Sequence, residues 1–157
     1  MFDEAMNTND AVLAKFAEVF VTLGGKRFSV LQCKDFEGKA SVSTTEVERL
    51  GCMVVGHRPT SVSLSFSMTI YKCTELFDDL VDKLIKTGTM PTFDIKVTNE
   101  DPASSVGRST KIYNNCILDG DVLLSAAKSG EDFIEQEISG FCESIERPAK
   151  FKNPSYM

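Results

Sequence analysis

The sequence predicts an α+β domain, a mostly antiparallel β-sandwich or open barrel with one amphipathic helix packed on it. Three observations carry that reading. Residues Ser61–Tyr71 alternate apolar and hydroxyl side chains, the period of a strand. Over Thr74–Gly88 the period changes to the spacing of a helix. Extended segments stand in runs on both sides of that helix instead of alternating with helices, which argues against a parallel βαβ sheet. With 157 residues the chain fits one domain.

The elements follow in chain order. Residues 1–14 are polar at the start and read as a flexible lead, with the domain running over 15–150 and a tail over 151–157. Ala17, Val19, Val21 and Leu23 fall on one side of a strand that ends at Gly24-Gly25, so a hairpin is expected there. Its second arm, Phe28–Cys33, continues through a break at Gly38 into Lys39–Val47. Residues 44–60 (TTEVERLGCMVVGHRPT) mix Glu46, Glu48, Arg49 and Arg58 with Leu50, Met53, Val54 and Val55.

Next comes the ladder strand. Val62, Leu64, Phe66, Met68 and Ile70 make one face, and Ser61, Ser63, Ser65, Ser67 and Thr69 make the other. In the helix, Leu76, Phe77, Leu80, Val81, Leu84 and Ile85 form an apolar stripe, Thr74 caps the start and Gly88 ends it. Pro91 restarts an extended chain in which Phe93, Ile95 and Val97 alternate with polar residues. Residues 99–108 read as a polar loop, Thr110–Asp119 as a strand, and Asp119-Gly120-Asp121 as a turn. Phe133–Ile145 reads as a last long strand with Gly140 as a bulge site, and Pro148 ends it.

Composition narrows the function. The formal net charge is -6, which repels phosphate backbones and disfavours nucleic-acid binding through a basic patch. The same charge suits plain solubility or a surface that DNA passes without sticking. Five widely spaced cysteines, with no Cys-x-x-Cys pair, are neither a disulfide framework nor a zinc site and imply free thiols in a reducing compartment. The start of the chain lacks a basic, apolar leader, and no segment reaches the ~18 apolar residues that span a bilayer. A protein that stays in the cytoplasm unless something larger releases it is expected.

Catalytic chemistry finds no foothold in the motifs. His57 is the only histidine, and no motif places a nucleophile or an orienting carboxylate beside it. Gly24-Gly25 has no sequel that would cradle a phosphate, and Asp119-Gly120-Asp121 lacks the rest of a calcium loop. The many carboxylates between Glu131 and Glu146 suit a solvated strand face. The expectation is a non-enzyme with no cofactor and no metal.

Taken together, four segments resemble the tail tube proteins of contractile-tailed phages, in the variety found in Gram-positive prophages and phage-derived particles. They are the hairpin AEVFVTLGGKRFSVLQCKDFEGKASVSTTEVERLG with its link GHRPTS, the strand and helix SVSLSFSMTIYKCTELFDDLVDKLIKTG, the strand pair PTFDIKVTNEDPASSVGRSTKIYNNCILDG, and the close EDFIEQEISGFCESIE. The chain departs from that pattern in a less glycine-rich link near Gly56 and in its cysteine content.

The resemblance implies a structural subunit of a virion tail, assembled in the host cytoplasm. Six copies would form a ring, and rings would stack into a hollow tube for DNA passage, with sheath, tape-measure and baseplate proteins as partners and no membrane. It further implies that the 44–60 loop reaches a neighbouring subunit or ring through Glu46, Glu48, Arg49, Leu50, Met53, Val54, His57 and Arg58. The face Ser61, Ser63, Ser65, Ser67 and Thr69 would line the lumen or a subunit seam; an ordinary solvent face is the alternative. The tube of an R-type bacteriocin or other contractile injection system fits the same sequence. From a different class, so does a small β-barrel ligand-binding module.

Overall fold

The computed structural model describes residues 5–157. Its first hairpin pairs β1 (Ala17–Leu23) with β2 (Lys26–Ser29). Gly24 and Gly25 both take positive φ in the turn, a conformation that costs glycine little. β3 (Cys33–Val47) and β4 (Gly56–Tyr71) form a second, much longer hairpin. The helix α1 (Leu76–Thr87) follows, then β5 (Phe93–Glu100), β6 (Arg108–Leu118), β7 (Glu135–Cys142) and β8 (Ser144–Ala149). Strand pairing is antiparallel throughout, in the order β2-β1-β5-β6-β7-β4-β3, with β8 also on β6.

One strand joins two sheets. The first part of β6, Thr110 to Asn114, pairs with β8, while its end, Ile117 and Leu118, pairs with β7. Asn115 takes φ 53 between them, and the Glu143 amide donates to the Asn114 carbonyl at 3.1 Å. The chain therefore changes sheet at Asn115 on β6 and at Glu143 between β7 and β8, the corner device of packed β-sandwiches. The sequence reading of Phe133–Ile145 as one strand with a bulge at Gly140 is corrected on both counts. Pairing begins at Glu135, and the irregular residue is Glu143. Gly140 instead permits a close approach, since a Cβ there would overlap the Ile117 carbonyl oxygen and crowd the Phe66 ring. Pro148 does not end the strand but lies inside β8, at an outer position where a missing N–H costs little.

The core lies between the sheets and under α1. Val19 and Val21 meet Phe66, Met68 and Ile70 of the ladder strand, with Phe93, Ile95, Tyr113, Cys116 and Ile138 closing the cluster. Phe77 of α1 packs edge-on against Phe93, ring centroids 6.1 Å apart. Gly88 ends the helix in the left-handed region, its amide donating to the Leu84 carbonyl at 2.9 Å. Only Phe77 and Leu80 of the predicted stripe are fully buried; Leu84 and Ile85 are exposed. The expected break at Gly38 is not seen either, because β3 runs straight through it and the Tyr113 ring covers it.

Residues 5–14, read from the sequence as part of a flexible lead, carry defined contacts; residues 1–4 lie outside the described ones. Thr8–Asp10 make one 3-10 turn capped by the Asn7 side chain. Ser105 donates to Asp10 from both its amide (3.1 Å) and its hydroxyl (2.6 Å). Buried Asp101 accepts from the amides of Leu13 at 3.0 Å and Ala103 at 2.9 Å. These two donors hold its carboxyl below the usual aspartate range. A lowered folded pKa contributes stability above the unfolded value near ~3.9, and that contribution is lost as pH falls through the folded value. Asp101→Asn is thus expected to flatten the acid limb of a thermal-midpoint-versus-pH curve; an unchanged limb would remove Asp101 from the account.

Candidate assembly surface

The segment read as a loop over 44–60 is mostly strand, and this is the largest correction to the sequence reading. Thr44–Val47 belong to β3 and Gly56–Thr60 to β4, paired from Thr44↔Pro59 to Val47↔Gly56. Only residues 48–55 form the connecting tip. At its root the hairpin is part of the sandwich, because β4 pairs with β7 from Leu64 to Tyr71. Beyond Leu64 neither strand has an outer neighbour among the described residues. What projects is a two-stranded ribbon of seven paired positions, Ser41↔Ser63 to Val47↔Gly56, roughly 23 Å long at the usual strand rise.

The apolar face of this arm continues the core into solvent. Phe36↔Met68 and Gly38↔Phe66 lie in the body, followed outward by Ala40↔Leu64 and Val42↔Val62. Val42 and Val62 are 59% and 60% exposed. Arg58, opposite Thr45, lies further out on the other face, because the extra residue at the register shift is on β4 and β3 keeps its alternation. At the tip, Leu50 and Met53 are fully exposed and Val54 largely so. The tip has internal order all the same: Arg49 Nη2 donates to the Val54 carbonyl at 3.2 Å, and the Cys52 amide to the Arg49 carbonyl at 3.3 Å. Glu48 is exposed where β3 gives way to the tip. Apolar area of this kind has no reason to stay in water unless something covers it.

The opposite face carries the hydroxyl ladder. Ser61 and Ser63 stand across from Ser43 and Ser41, so the hydroxyl patch is twice as wide as one strand suggests. The alternation in Ala40-Ser41-Val42-Ser43 was the signal for this second row. Ser65, Ser67 and Thr69 lie opposite Lys39, Glu37 and Asp35 on one side and Phe141, Ser139 and Glu137 on the other. Ser61 and Ser63 are exposed, whereas Ser65, Ser67 and Thr69 are half-buried between those flanking strands. Glu46 and His57, partners at 3.9 Å further out, stand on the other face with Val42 and Val62. On the hydroxyl face Lys39 and Arg58 stand among Asp35, Glu37 and Glu137, so opposite charges are close to balanced there.

His57 is exposed, with only Glu46 within ion-pair distance among the described residues. Among the described residues no group of three or more His, Cys, Asp and Glu is placed to hold a metal. A cleft of about 600 Å³ opens between β1 and β3, lined by apolar Val30 and Phe36 and by charged Lys15, Glu18, Asp35 and Lys111. It lies apart from the arm and brings together none of the candidate site residues read from the sequence.

A family described as phage tail tube protein matches residues 4–148 of the chain. The phage-like element PBSX protein XkdM of Bacillus subtilis (strain 168) is 24% identical over 149 residues, covering 95% of this chain and 98% of that protein. The uncharacterized protein YqbM of the same organism is 22% identical over the same shares. Among solved structures, the tube-terminating cap of the anti-feeding prophage superposes with a TM-score of 0.66 at 12% identity, covering 96% of this chain and 99% of that one. A chain of the sheath-tube complex of the extracellular contractile injection system PVC gives 0.61 at 18% identity, covering 95% of each. At these identities the structural likenesses establish the fold.

Proposed function

Because the chain belongs to the phage tail tube protein family, we propose that it is the repeating subunit of a tail tube, with six copies to a ring and rings stacked around a lumen. The protein is a structural component of a phage tail or related particle. The observation that carries the proposal is the unpartnered arm. An isolated two-stranded ribbon is marginal in water, and a long bare edge invites pairing. Both liabilities disappear when arms and edges of neighbouring copies close into a shared barrel. A head-to-tail contact of this sort closes into rings or propagates along an axis.

In that assembly the tip residues Glu48, Arg49, Leu50, Met53 and Val54 dock on the next subunit or ring. Glu46, His57 and Arg58, on the ribbon just inside the tip, meet the same neighbour. The hydroxyl face, from Ser61 to Thr69, turns to the lumen, where its small uncharged side chains neither bind nor kink a passing polyanion. Assembly takes place in the host cytoplasm, and sheath, tape-measure and baseplate proteins bind the outside and ends.

Electron microscopy of the purified protein tests the proposal: hexameric rings or hollow tubes are expected, and uniform monomers at high concentration would overturn it. A second experiment addresses the lumen. Ser63→Leu with Ser65→Leu should leave tubes that no longer pass DNA, measured as particles that adsorb but fail to transduce; normal transduction would move the ladder out of the lumen.

The same subunit design serves a bacteriocin or contractile injection particle. A chain of the sheath-tube complex of a contractile injection system shares this chain's fold. Nuclease-protected DNA in purified particles distinguishes the two.

A further inference from the structure

Two of the five cysteines face each other at the corner where the sheets exchange strands. Ile117 and Phe141 are register partners on β6 and β7, so the next pair along the ladder is Cys116 and Cys142. Their sulfurs lie 3.0 Å apart. Directly opposed residues of an antiparallel pair have Cβ atoms about 4.5–5.5 Å apart, and a disulfide needs about 3.5–4.5 Å. Only a slight approach of two adjacent strands separates the thiols from a bond. Cys33 and Cys52, by contrast, have their sulfurs on backbone carbonyls of Asp35 and Val54.

We propose that Cys116 and Cys142 form a reversible disulfide site, closed by thiol–disulfide exchange with a low-molecular-weight disulfide. Access decides the order of events. Cys116 is fully buried and Cys142 only partly so; Cys142 therefore meets the reagent first. Its thiolate attacks one sulfur of the small disulfide, which releases one small thiol and leaves a mixed disulfide. The Cys116 sulfur then attacks the Cys142 sulfur and displaces the second small thiol. Two protein S–H bonds become one S–S bond, and the two protons and the electron pair leave on the two small thiols.

Burial pushes both thiols above the ordinary cysteine range, so exchange is slow near neutrality and quickens with alkalinity. An excess of reduced small thiols keeps the pair open. An oxidising medium closes it.

The consequence is local stiffening at a specific point. Asn115, with its left-handed backbone, lies beside Cys116, and Glu143 beside Cys142. A bond there ties the two strands where both change sheet. It closes a loop across a sequence separation of 26 residues, for which a rise in thermal midpoint of about 5–10 °C is expected.

The test uses the full chain with Cys33→Ser, Cys52→Ser and Cys73→Ser, which retains only this pair. It is incubated with oxidised glutathione, without denaturant, at mildly alkaline pH. The expected product has lost two hydrogens, retains no glutathione, yields a linked peptide containing Cys116 and Cys142, and melts higher until dithiothreitol is added. Glutathione retained on Cys142, an unchanged mass, or a link that forms only in urea would overturn the proposal. Peptide mapping of the oxidised wild-type chain gives the same readout should the triple variant fold poorly. All these readouts are made on the subunit, so they stand or fall apart from tube formation.

Discussion

Leu50→Ser, Met53→Ser and Val54→Ser together are expected to give a folded subunit that does not polymerise. The three side chains sit on the tip of the arm, exposed and touching no part of the core, so their removal takes nothing from the fold of the body. In the assembled state each would be covered. Full burial of an aliphatic side chain stabilises by about 1.5–3 kcal/mol, so the loss per docking contact is on the order of 5 kcal/mol, which weakens a contact by three orders of magnitude or more. Each copy carries one such tip, and the effect multiplies along a tube. Sedimentation velocity and electron microscopy read the assembly, and circular dichroism reads the fold. Tubes of normal length at the wild-type critical concentration would show that the tip is not a docking element.

Gly140→Ala is the second large effect, and it acts on the subunit. The added methyl would overlap the Ile117 carbonyl oxygen and press on the Phe66 ring. Both neighbours are fixed, one as backbone in the β6–β7 ladder and the other in the core. Relief requires the two strands to part at the place where β6 joins the second sheet. Overpacking in a close-packed interior costs about 1–3 kcal/mol, and a backbone obstacle belongs at the upper end, so a loss of about 3 kcal/mol is expected. Urea denaturation gives the value; a midpoint like the wild type would mean that β6 does not lie against Gly140.

Local pattern told most about the body. The alternation in Ser61–Tyr71 and the helical spacing after Thr74 are both enforced by burial, and both elements appear where the sequence places them. The arm was misread because no burial enforces its pattern. Pro59 is tolerated inside β4. It stands at a register shift opposite Thr44, where β4 has no second neighbour to receive an N–H.

The exchange of sheets at Glu143 had no local sign, since it depends on β6, more than twenty residues away in sequence, arriving alongside. The stripe on α1 predicted a buried face but not its extent. Phe77 and Leu80 are buried, whereas Leu84 and Ile85, later on the same stripe, are exposed. Of the assembly surface, the residue types were legible in the sequence and their shape was not. A ribbon and a loop differ only in pairing, here between residues 9 to 15 apart in sequence, from Val47↔Gly56 to Thr44↔Pro59.

The strand that crosses between sheets also bears on how a tube carries load. In a sandwich held only by side-chain packing, an axial pull on one sheet can slide it over the other, and nothing but dispersion and excluded water resists the shear. Here β6 runs from one sheet into the other as unbroken main chain, and the β7–β8 passage does so a second time. Force applied to the arm through β4 and β7 therefore reaches the opposite sheet along covalent backbone. In the proposed tube, a column of such subunits would transmit tension without asking its cores to act as glue.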